Sequence, residues 1–174
     1  MTRDEIELKF LNIDVADIKE KINNLGASLK YDTMIESYSF LADGFHRFDS
    51  TMKFLRVRKI DDDIRITYKS PARPWEITIK DEIEIKVDDF ANAVELLEKL
   101  GFKKTELVRK HRVHYELGTT HFELDTLEDI PTYLEIETQN VNDMERICSD
   151  LGVNILDGKK WTLPEILPES FIQL

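Results

Sequence analysis

Glu5-Ile6-Glu7-Leu8-Lys9 alternates charge with aliphatic bulk. In an extended chain successive side chains point to opposite faces, so this stretch aims two carboxylates and an ammonium at one side and hydrocarbon at the other. Glu82-Ile83-Glu84-Ile85-Lys86 repeats it nearly letter for letter, and Glu135-Ile136-Glu137 repeats its core. Arg56-Val57-Arg58 and Lys110-His111-Arg112 supply cations at the same spacing. One such strand is an ordinary solvated edge, whereas a set carrying both signs predicts a binding surface.

Three of these segments open a similar unit. Glu5-Ile6-Glu7 leads to Asp14, then Val15, Ile18, Ile22 and Leu25 at helical spacing, then Gly26. Glu82-Ile83-Glu84 leads to Asp88-Asp89, then Val94, Leu97 and Leu100, then Gly101. Glu135-Ile136-Glu137 leads to Asn142, then Met144, Ile147 and Leu151, then Gly152. Each predicts an acidic strand followed by a helix, with Asp or Asn accepting the free amides at its start and glycine taking the left-handed cap. The repetition implies like units arranged around shared space.

Between them, residues 54–58, 64–69, 75–87, 108–117, 121–126 and 133–138 are rich in branched and aromatic side chains. Asp61-Asp62-Asp63, Ser70-Pro71 and Gly118 punctuate them as turns, so they are expected to be strands. Arg56 and Arg58 oppose Leu55 and Val57; Arg65, Thr67 and Lys69 oppose Ile64, Ile66 and Tyr68; Glu123 and Asp125 oppose Phe122 and Leu124. The sheet therefore has one aliphatic face for helices and one face crowded with both charge signs. Long antiparallel sheets tend to curl or close, and closure would turn the charged face into a lumen.

The 174 residues fit one domain, and 41% hydrophobic residues suffice to pack helices on one face of a sheet. A net charge of -11 argues against a nucleic-acid backbone as partner. The 24 Lys and Arg can still concentrate locally around a small anion. Cys148 stands alone, which rules out an intrachain disulfide or a thiolate cluster and fits a reducing compartment. No apolar run is long enough for a transmembrane helix, and the first residues read as a charged strand rather than a signal region, so a soluble cytoplasmic protein is expected, with no membrane partner.

Enclosing ions costs several kcal/mol each unless they are compensated. A polyphosphate bound with divalent cations gives both signs a role: guanidinium and ammonium groups take phosphate oxygens, and carboxylates hold Mg²⁺ or Mn²⁺. His46, His111, His114 and His121 do not read as a zinc set in such oxygen-rich surroundings, and His114 is expected at a strand end in solvent. Cys148 is expected to pack in a helix. No glycine-rich phosphate loop is present, so phosphate binding falls to side chains.

The ordered series resembles the CYTH superfamily, the triphosphate tunnel metalloenzymes, which include class IV adenylyl cyclases, thiamine triphosphatases and inorganic tripolyphosphatases. Glu5-Ile6-Glu7-Leu8-Lys9 is similar to its Glu-x-Glu-x-Lys signature. Phe54-Leu55-Arg56-Val57-Arg58 resembles its basic strand, Thr67-Tyr68-Lys69-Ser70-Pro71 its lysine strand, and Glu82-Ile83-Glu84 its second acidic pair. Lys110-His111-Arg112-Val113-His114-Tyr115 resembles its Lys-x-Arg-x-x-Tyr strand, and His121–Asp125 with Tyr133–Glu137 its closing acidic strands.

The resemblance implies an α+β fold: an eight-stranded antiparallel β-barrel with helices outside, one domain over residues 1–174, and a homodimer. Lys9, Arg56, Arg58, Lys69, Lys110 and Arg112 would hold the triphosphate. Glu5, Glu7, Asp125, Glu135 and Glu137 would carry Mg²⁺ or Mn²⁺, and Glu82 with Glu84 would orient the basic residues or help hold a second ion. Glu5, Glu7, Lys9, Arg56 and Arg58 would stand nearest the chemistry. Many cyclase-like members place Ser-Tyr near the carboxyl end, where this chain has Lys159-Lys160-Trp161; Trp161 is read as filling the aromatic position, and Lys159 or Lys160 as either a phosphate contact at a tunnel mouth or a basic helix entry. The length, the Arg-x-Arg and Lys-Ser-Pro strands and His-Phe-x-Leu-Asp favour conversion of ATP to cyclic AMP and pyrophosphate. The alternatives are a triphosphatase acting on tripolyphosphate, thiamine triphosphate or a nucleotide, and a module that binds polyphosphate or nucleotide without turnover.

Overall fold

The computed structural model describes residues 4–41, 54–69, 78–128 and 130–160, apart from the side chains of residues 4, 5, 41, 54, 69 and 78–81. His46, the Ser70-Pro71 turn, Trp75 and Trp161 lie outside the described residues. The elements run β1 (Asp4–Phe10), α1 (Val15–Asn24), β2 (Ser28–Leu41), β3 (Phe54–Ile60), β4 (Asp63–Lys69), β5 (Thr78–Val87), α2 (Phe90–Lys99), β6 (Lys103–Lys104), β7 (Val108–Leu117), β8 (Thr120–Leu127), β9 (Ile130–Thr138) and α3 (Val141–Leu151). A short 3₁₀ turn follows at Ile155–Asp157. No helix among the described residues is long and apolar enough to cross a membrane.

All the strand pairings are antiparallel, in the order β3-β4-β5-β1-β9-β8-β7-β2, with β6 beside the end of β2. Because β2 also pairs with β3, the pairings of eight strands form a complete circuit. β2 is the strand that makes this possible, and the sequence pattern above passes over it. It is 14 residues long; its first part lies along β7, and its second part also meets β3. A register shift between Leu29 and Tyr31 interrupts its alternation, and Thr33, Ile35, Ser37 and Ser39 then share the face of the charged residues opposite them. Those small hydroxyls leave room for long basic side chains: Thr33 lies opposite Arg112, Ser37 opposite Arg58 and Ser39 opposite Arg56.

The aliphatic parity of the strands points outward, much of it onto helices, while Ile83 and Ile85 of β5 remain exposed. α1 and α3 lay Ile18, Ile22, Met144, Ile147 and Leu151 on Ile6, Leu8, Val113, Phe122, Leu124, Leu134 and Ile136. α2 covers Phe40, Val57 and Ile64 with Ala93, Val94 and Leu97. Ile22, Met144, Ile147 and Leu151 are fully buried, each worth about 1.5–3 kcal/mol in apolar area removed from water. Cys148 packs in the same layer, and burial pushes its thiol up to about 11.

Asp14, Asp89 and Asn140 cap the three helices by accepting the backbone N–H groups of Ala16 and Asp17, Asn92, and Asp143. The third cap is a correction: the helix starts at Val141, so the capping side chain is Asn140 and not Asn142. The glycines at the three helix ends, Gly26, Gly101 and Gly152, have φ of +82°, +92° and +69°, the left-handed conformation that stops a helix on its own last carbonyls. With every helix outside, the circuit is left to enclose the charged parity, and eight strands leave an interior wide enough for side chains and one small ligand.

Candidate active site

Register decides which charges meet. Between β1 and β9, Lys9 faces Glu135 and Glu7 faces Glu137. Between β9 and β8, Glu135 faces Glu123 and Tyr133 faces Asp125. Between β8 and β7, Asp125 faces Arg112 and Glu123 faces His114. Two of these rungs, Glu7 with Glu137 and Glu123 with Glu135, set carboxylate directly against carboxylate, an arrangement that destabilises a sheet unless a cation lies between.

Asp125 is the anchor of this wall. It is wholly buried, and its carboxylate accepts from Arg112 Nε (2.6 Å) and Nη2 (2.6 Å), Lys110 Nζ (2.5 Å) and the Tyr133 hydroxyl (3.1 Å). Three of these bonds fall on Oδ2 and one on Oδ1, so Asp125 fixes two cations and keeps acceptor capacity on Oδ1. Glu123 pairs with Arg112 Nη1, and Glu135 reaches Lys9 Nζ at 3.3 Å and Arg112 Nη2 at 3.9 Å. Lys9 also pairs with Glu7.

Burial opposes charge throughout this cluster, and the partners decide the outcome. Despite burial, Arg112 and Lys110 hold the Asp125 carboxyl below its ordinary range, and Arg112 with His114 holds Glu123 well below. Asp125 and Glu123 in turn keep the Arg112 guanidinium well above its ordinary value. Lys110 goes the other way: burial, with Arg112 beside it, outweighs Asp125 and lowers its ammonium. Tyr133 is raised by burial and by Asp125, so its hydroxyl stays a donor.

The opposite wall is built by β3, β4 and β5. Glu84 accepts from Arg58 Nη2 (3.1 Å), Arg65 Nη1 (2.9 Å) and Thr67 Oγ1 (2.9 Å), so one carboxylate orients two guanidiniums. Burial, with Arg58 alongside, brings the Arg56 guanidinium down to about 10, which leaves it charged at neutral pH. Glu82 lies opposite Lys69 in the β4–β5 register. The side chains of Lys69 and of Glu5, whose backbone lies opposite Lys80, are outside the described part.

Lys159 pairs with Lys9, each backbone N–H donating to the other's carbonyl at 2.8 Å. Residues directly opposite share a face, so this register puts Lys159 on the side of Lys9, although Lys159 and Lys160 are both exposed.

Two residues stand differently from expectation. Glu123 enters the acidic cluster: oxygens of Glu123, Asp125 and Glu135 lie within 4.8 Å of one another. Its shared parity with Asp125 was the available signal. His114 is buried and not at a solvated strand end, because Tyr31 of β2 stacks flat on its ring, with centroids 4.8 Å apart.

An all-oxygen donor set with opposed carboxylates fits a hard divalent cation such as Mg²⁺ or Mn²⁺. Oxygens of Glu123, Asp125 and Glu135 converge closely enough to share such an ion, with Glu7 and Glu137 opposed on the neighbouring strand pair; Asp125 is at the same time the partner of Lys110 and Arg112. Lys9, Arg56, Arg58 and Arg112 stand on the same inner face as charge-assisted donors for phosphate.

Known proteins share this fold. A relative from Methanocaldococcus jannaschii named "Putative adenylate cyclase" is 27% identical over 173 residues, 98% of this chain and 97% of its own. The PH1012 protein from Pyrococcus horikoshii OT3 is 32% identical with a TM-score of 0.78, over 94% of this chain and 99% of that one. A Hippeastrum protein described as having a dominant triphosphatase activity shares the fold at 16% identity and a TM-score of 0.60, over 88% of this chain and 89% of that one. The CYTH domain model matches residues 3–150, and the chain belongs to the CYTH domain family.

Proposed function

We propose that this protein is a metal-dependent enzyme that acts on a triphosphate inside the strand circuit, converting ATP to cyclic AMP and pyrophosphate. One observation carries the reading: two opposed carboxylate rungs, Glu7 with Glu137 and Glu123 with Glu135, share an enclosed face with oriented arginines and lysines. Simple anion binding gains nothing from the carboxylates, and a solvated sheet gains nothing from enclosing them.

Lys9, Arg56, Arg58 and Arg112 grip the triphosphate oxygens, with Lys69 and Lys159 toward the mouths. Asp125 holds Lys110 and Arg112 in place, and Glu84 does the same for Arg58. When bound, Mg²⁺ or Mn²⁺ on Glu7, Glu135, Glu137 and Glu123 supplies Lewis-acid polarisation of phosphate and lowers the pKa of a coordinated hydroxyl or water. The 3′ hydroxyl gives up its proton to solvent as it attacks the α-phosphorus, the bond from that phosphorus to the pyrophosphate oxygen breaks, and the fixed Lys and Arg cations take up the charge that builds on the departing oxygens. In a water-poor lumen those cations act more strongly than at an exposed surface. A relative named "Putative adenylate cyclase", 27% identical over nearly the whole of both chains, supports this reaction.

A second reading, hydrolysis of a terminal phosphate by water, is favoured by the make-up of the described lumen, where charged groups that grip phosphate dominate. Positioning and electrostatics serve both reactions. Incubation with ATP, tripolyphosphate or thiamine triphosphate, each with Mg²⁺ or Mn²⁺, separates them. Cyclic AMP with pyrophosphate is the expected product from ATP; orthophosphate from any of the three establishes the hydrolase. Binding without turnover, or no binding, would overturn the enzymatic reading.

A further inference from the structure

Beyond the carboxylate cluster, the β7–β8 hairpin carries three side chains that no step of triphosphate chemistry uses. His114 and Glu116 are two apart on β7, and His121 lies opposite Glu116 on β8, so all three share the inner face close to the Gly118-Thr119 turn. Their polar atoms converge. His114 Nε2 is 3.5 Å from Glu116 Oε1 and 3.5 Å from His121 Nδ1, and His121 Nδ1 is 3.8 Å from Glu116 Oε1.

We propose that His114, Glu116 and His121 form a binding site for one borderline transition-metal ion of the Zn²⁺ type, separate from the oxygen-only cluster. Their separations exceed the usual ~2.7–3.2 Å of an N–H···O hydrogen bond. A tetrahedral ion with bonds of about 2.0–2.1 Å spaces its ligands by about 3.3–3.4 Å, so a movement of a few tenths of an ångström seats these atoms around it. Two imidazoles and one carboxylate are the donors that Zn²⁺ and its neighbours prefer, whereas Mg²⁺ requires oxygen.

The surroundings are those of a prepared ligand set. Tyr31 stacks on the His114 ring at an interplanar angle of 8° and fixes its plane. Glu123 Oε1 stands 3.3 Å from His114 Nδ1, within ion-pair reach but outside hydrogen-bond geometry, which puts a carboxylate beside the far ring nitrogen while Nε2 faces Glu116 and His121. Lys30 takes the other oxygen of Glu116, Oε2, at 3.1 Å, which directs Oε1 inward. His121 and Glu116 keep 24% and 34% of their side-chain surface exposed, so an ion can enter from solvent.

The test uses full-length protein without a histidine tag, stripped with chelator and titrated with Zn²⁺ by calorimetry and with Co²⁺ by visible absorption. One Zn²⁺ per chain is expected, with Co²⁺ bands of a low-coordinate nitrogen and oxygen site, both persisting in millimolar Mg²⁺. His121→Ala and Glu116→Gln should each weaken Zn²⁺ by more than the roughly 10–100-fold that an outer partner contributes, with unchanged circular dichroism. Glu7→Gln should leave this binding intact, since it alters only the carboxylate cluster. Absence of stoichiometric Zn²⁺ binding, its displacement by Mg²⁺, or equal affinity in a folded His121→Ala variant would overturn the proposal. None of these results depends on triphosphate turnover, so this site and the proposed reaction stand or fall separately.

Discussion

Asp125→Asn removes one charge from beneath two buried cations. In the native protein that carboxylate takes both donors of an Arg112 fork at 2.6 Å, the Lys110 ammonium at 2.5 Å and the Tyr133 hydroxyl. Asparagine keeps one acceptor oxygen and turns an NH₂ group toward donors, so at least one of these bonds becomes a donor facing a donor. Breaking a buried ion pair by removing one partner costs about 3–5 kcal/mol. Glu123 and Glu135 remain near Arg112, which places the expected loss toward the lower figure. At about 2–4 °C per kcal/mol for a chain of this size, 3 kcal/mol corresponds to a fall in Tm of about 6–12 °C. Urea unfolding followed by circular dichroism measures the loss directly. A double-mutant cycle with Lys110→Met should show a coupling of about 0.5–3 kcal/mol between the two sites. A loss under about 1 kcal/mol for Asp125→Asn, or strictly additive costs in the cycle, would refute the idea that Asp125 holds this wall together.

Acid should unfold the protein partly through the same groups. The carboxyls of Asp125 and Glu123 sit below their ordinary range when folded, so the stability they contribute is complete above about pH 4–5 and drains as pH falls through their folded values. The urea midpoint of wild type should therefore fall more between pH 6 and pH 3 than that of Asp125→Asn; parallel falls would contradict this. Lys110→Met should behave unlike Asp125→Asn, because burial already disfavours the Lys110 ammonium. It should cost less than Asp125→Asn, since both Arg112 bonds remain to compensate the buried Asp125 carboxylate; an equal or larger loss in the urea midpoint would contradict this. Glu7→Gln removes one charge from the Glu7–Glu137 rung and should leave apo stability within about 1 kcal/mol of wild type. Metal-dependent turnover should nevertheless fall by orders of magnitude, and unchanged turnover would remove Glu7 from the site.

The legible parts of this chain were those in which one residue type repeats at one period. Glu5-Ile6-Glu7-Leu8-Lys9 and its copies expose their parity plainly, and Leu25-Gly26, Leu100-Gly101 and Leu151-Gly152 mark helix ends by the one residue that accepts φ near +80°. β2 escaped because its inner face carries threonine, isoleucine and serines in place of charge, and because the shift at Leu29/Tyr31 breaks its alternation. Yet β2 is the strand that joins β3 to β7, so closure itself depended on the least patterned segment. Asn142 drew attention as a cap because it lies nearer the apolar run, while Asn140 is the residue whose side chain reaches an amide, that of Asp143.

Pairing across strands was the information the sequence lacked. Glu123 and Asp125 have the same parity, but only register shows that one faces Glu135 and the other faces Tyr133. That difference sets Glu123 in a carboxylate rung and brings the Tyr133 hydroxyl onto Asp125. The separation of His114 from His121 along the chain likewise hides a cross-strand neighbourhood that the tight hairpin creates.

Anomalous diffraction from a crystal soaked with Mn²⁺ and a non-hydrolysable triphosphate tests the central claim most directly. The expected result is a manganese peak bonded to carboxylate oxygens of Glu7, Glu135 or Glu137, with the phosphates lying inside the strand circuit against Lys9, Arg56, Arg58 and Arg112. Manganese or phosphate found only outside the circuit, with the inner carboxylates still paired to Lys9 and Arg112, would contradict it.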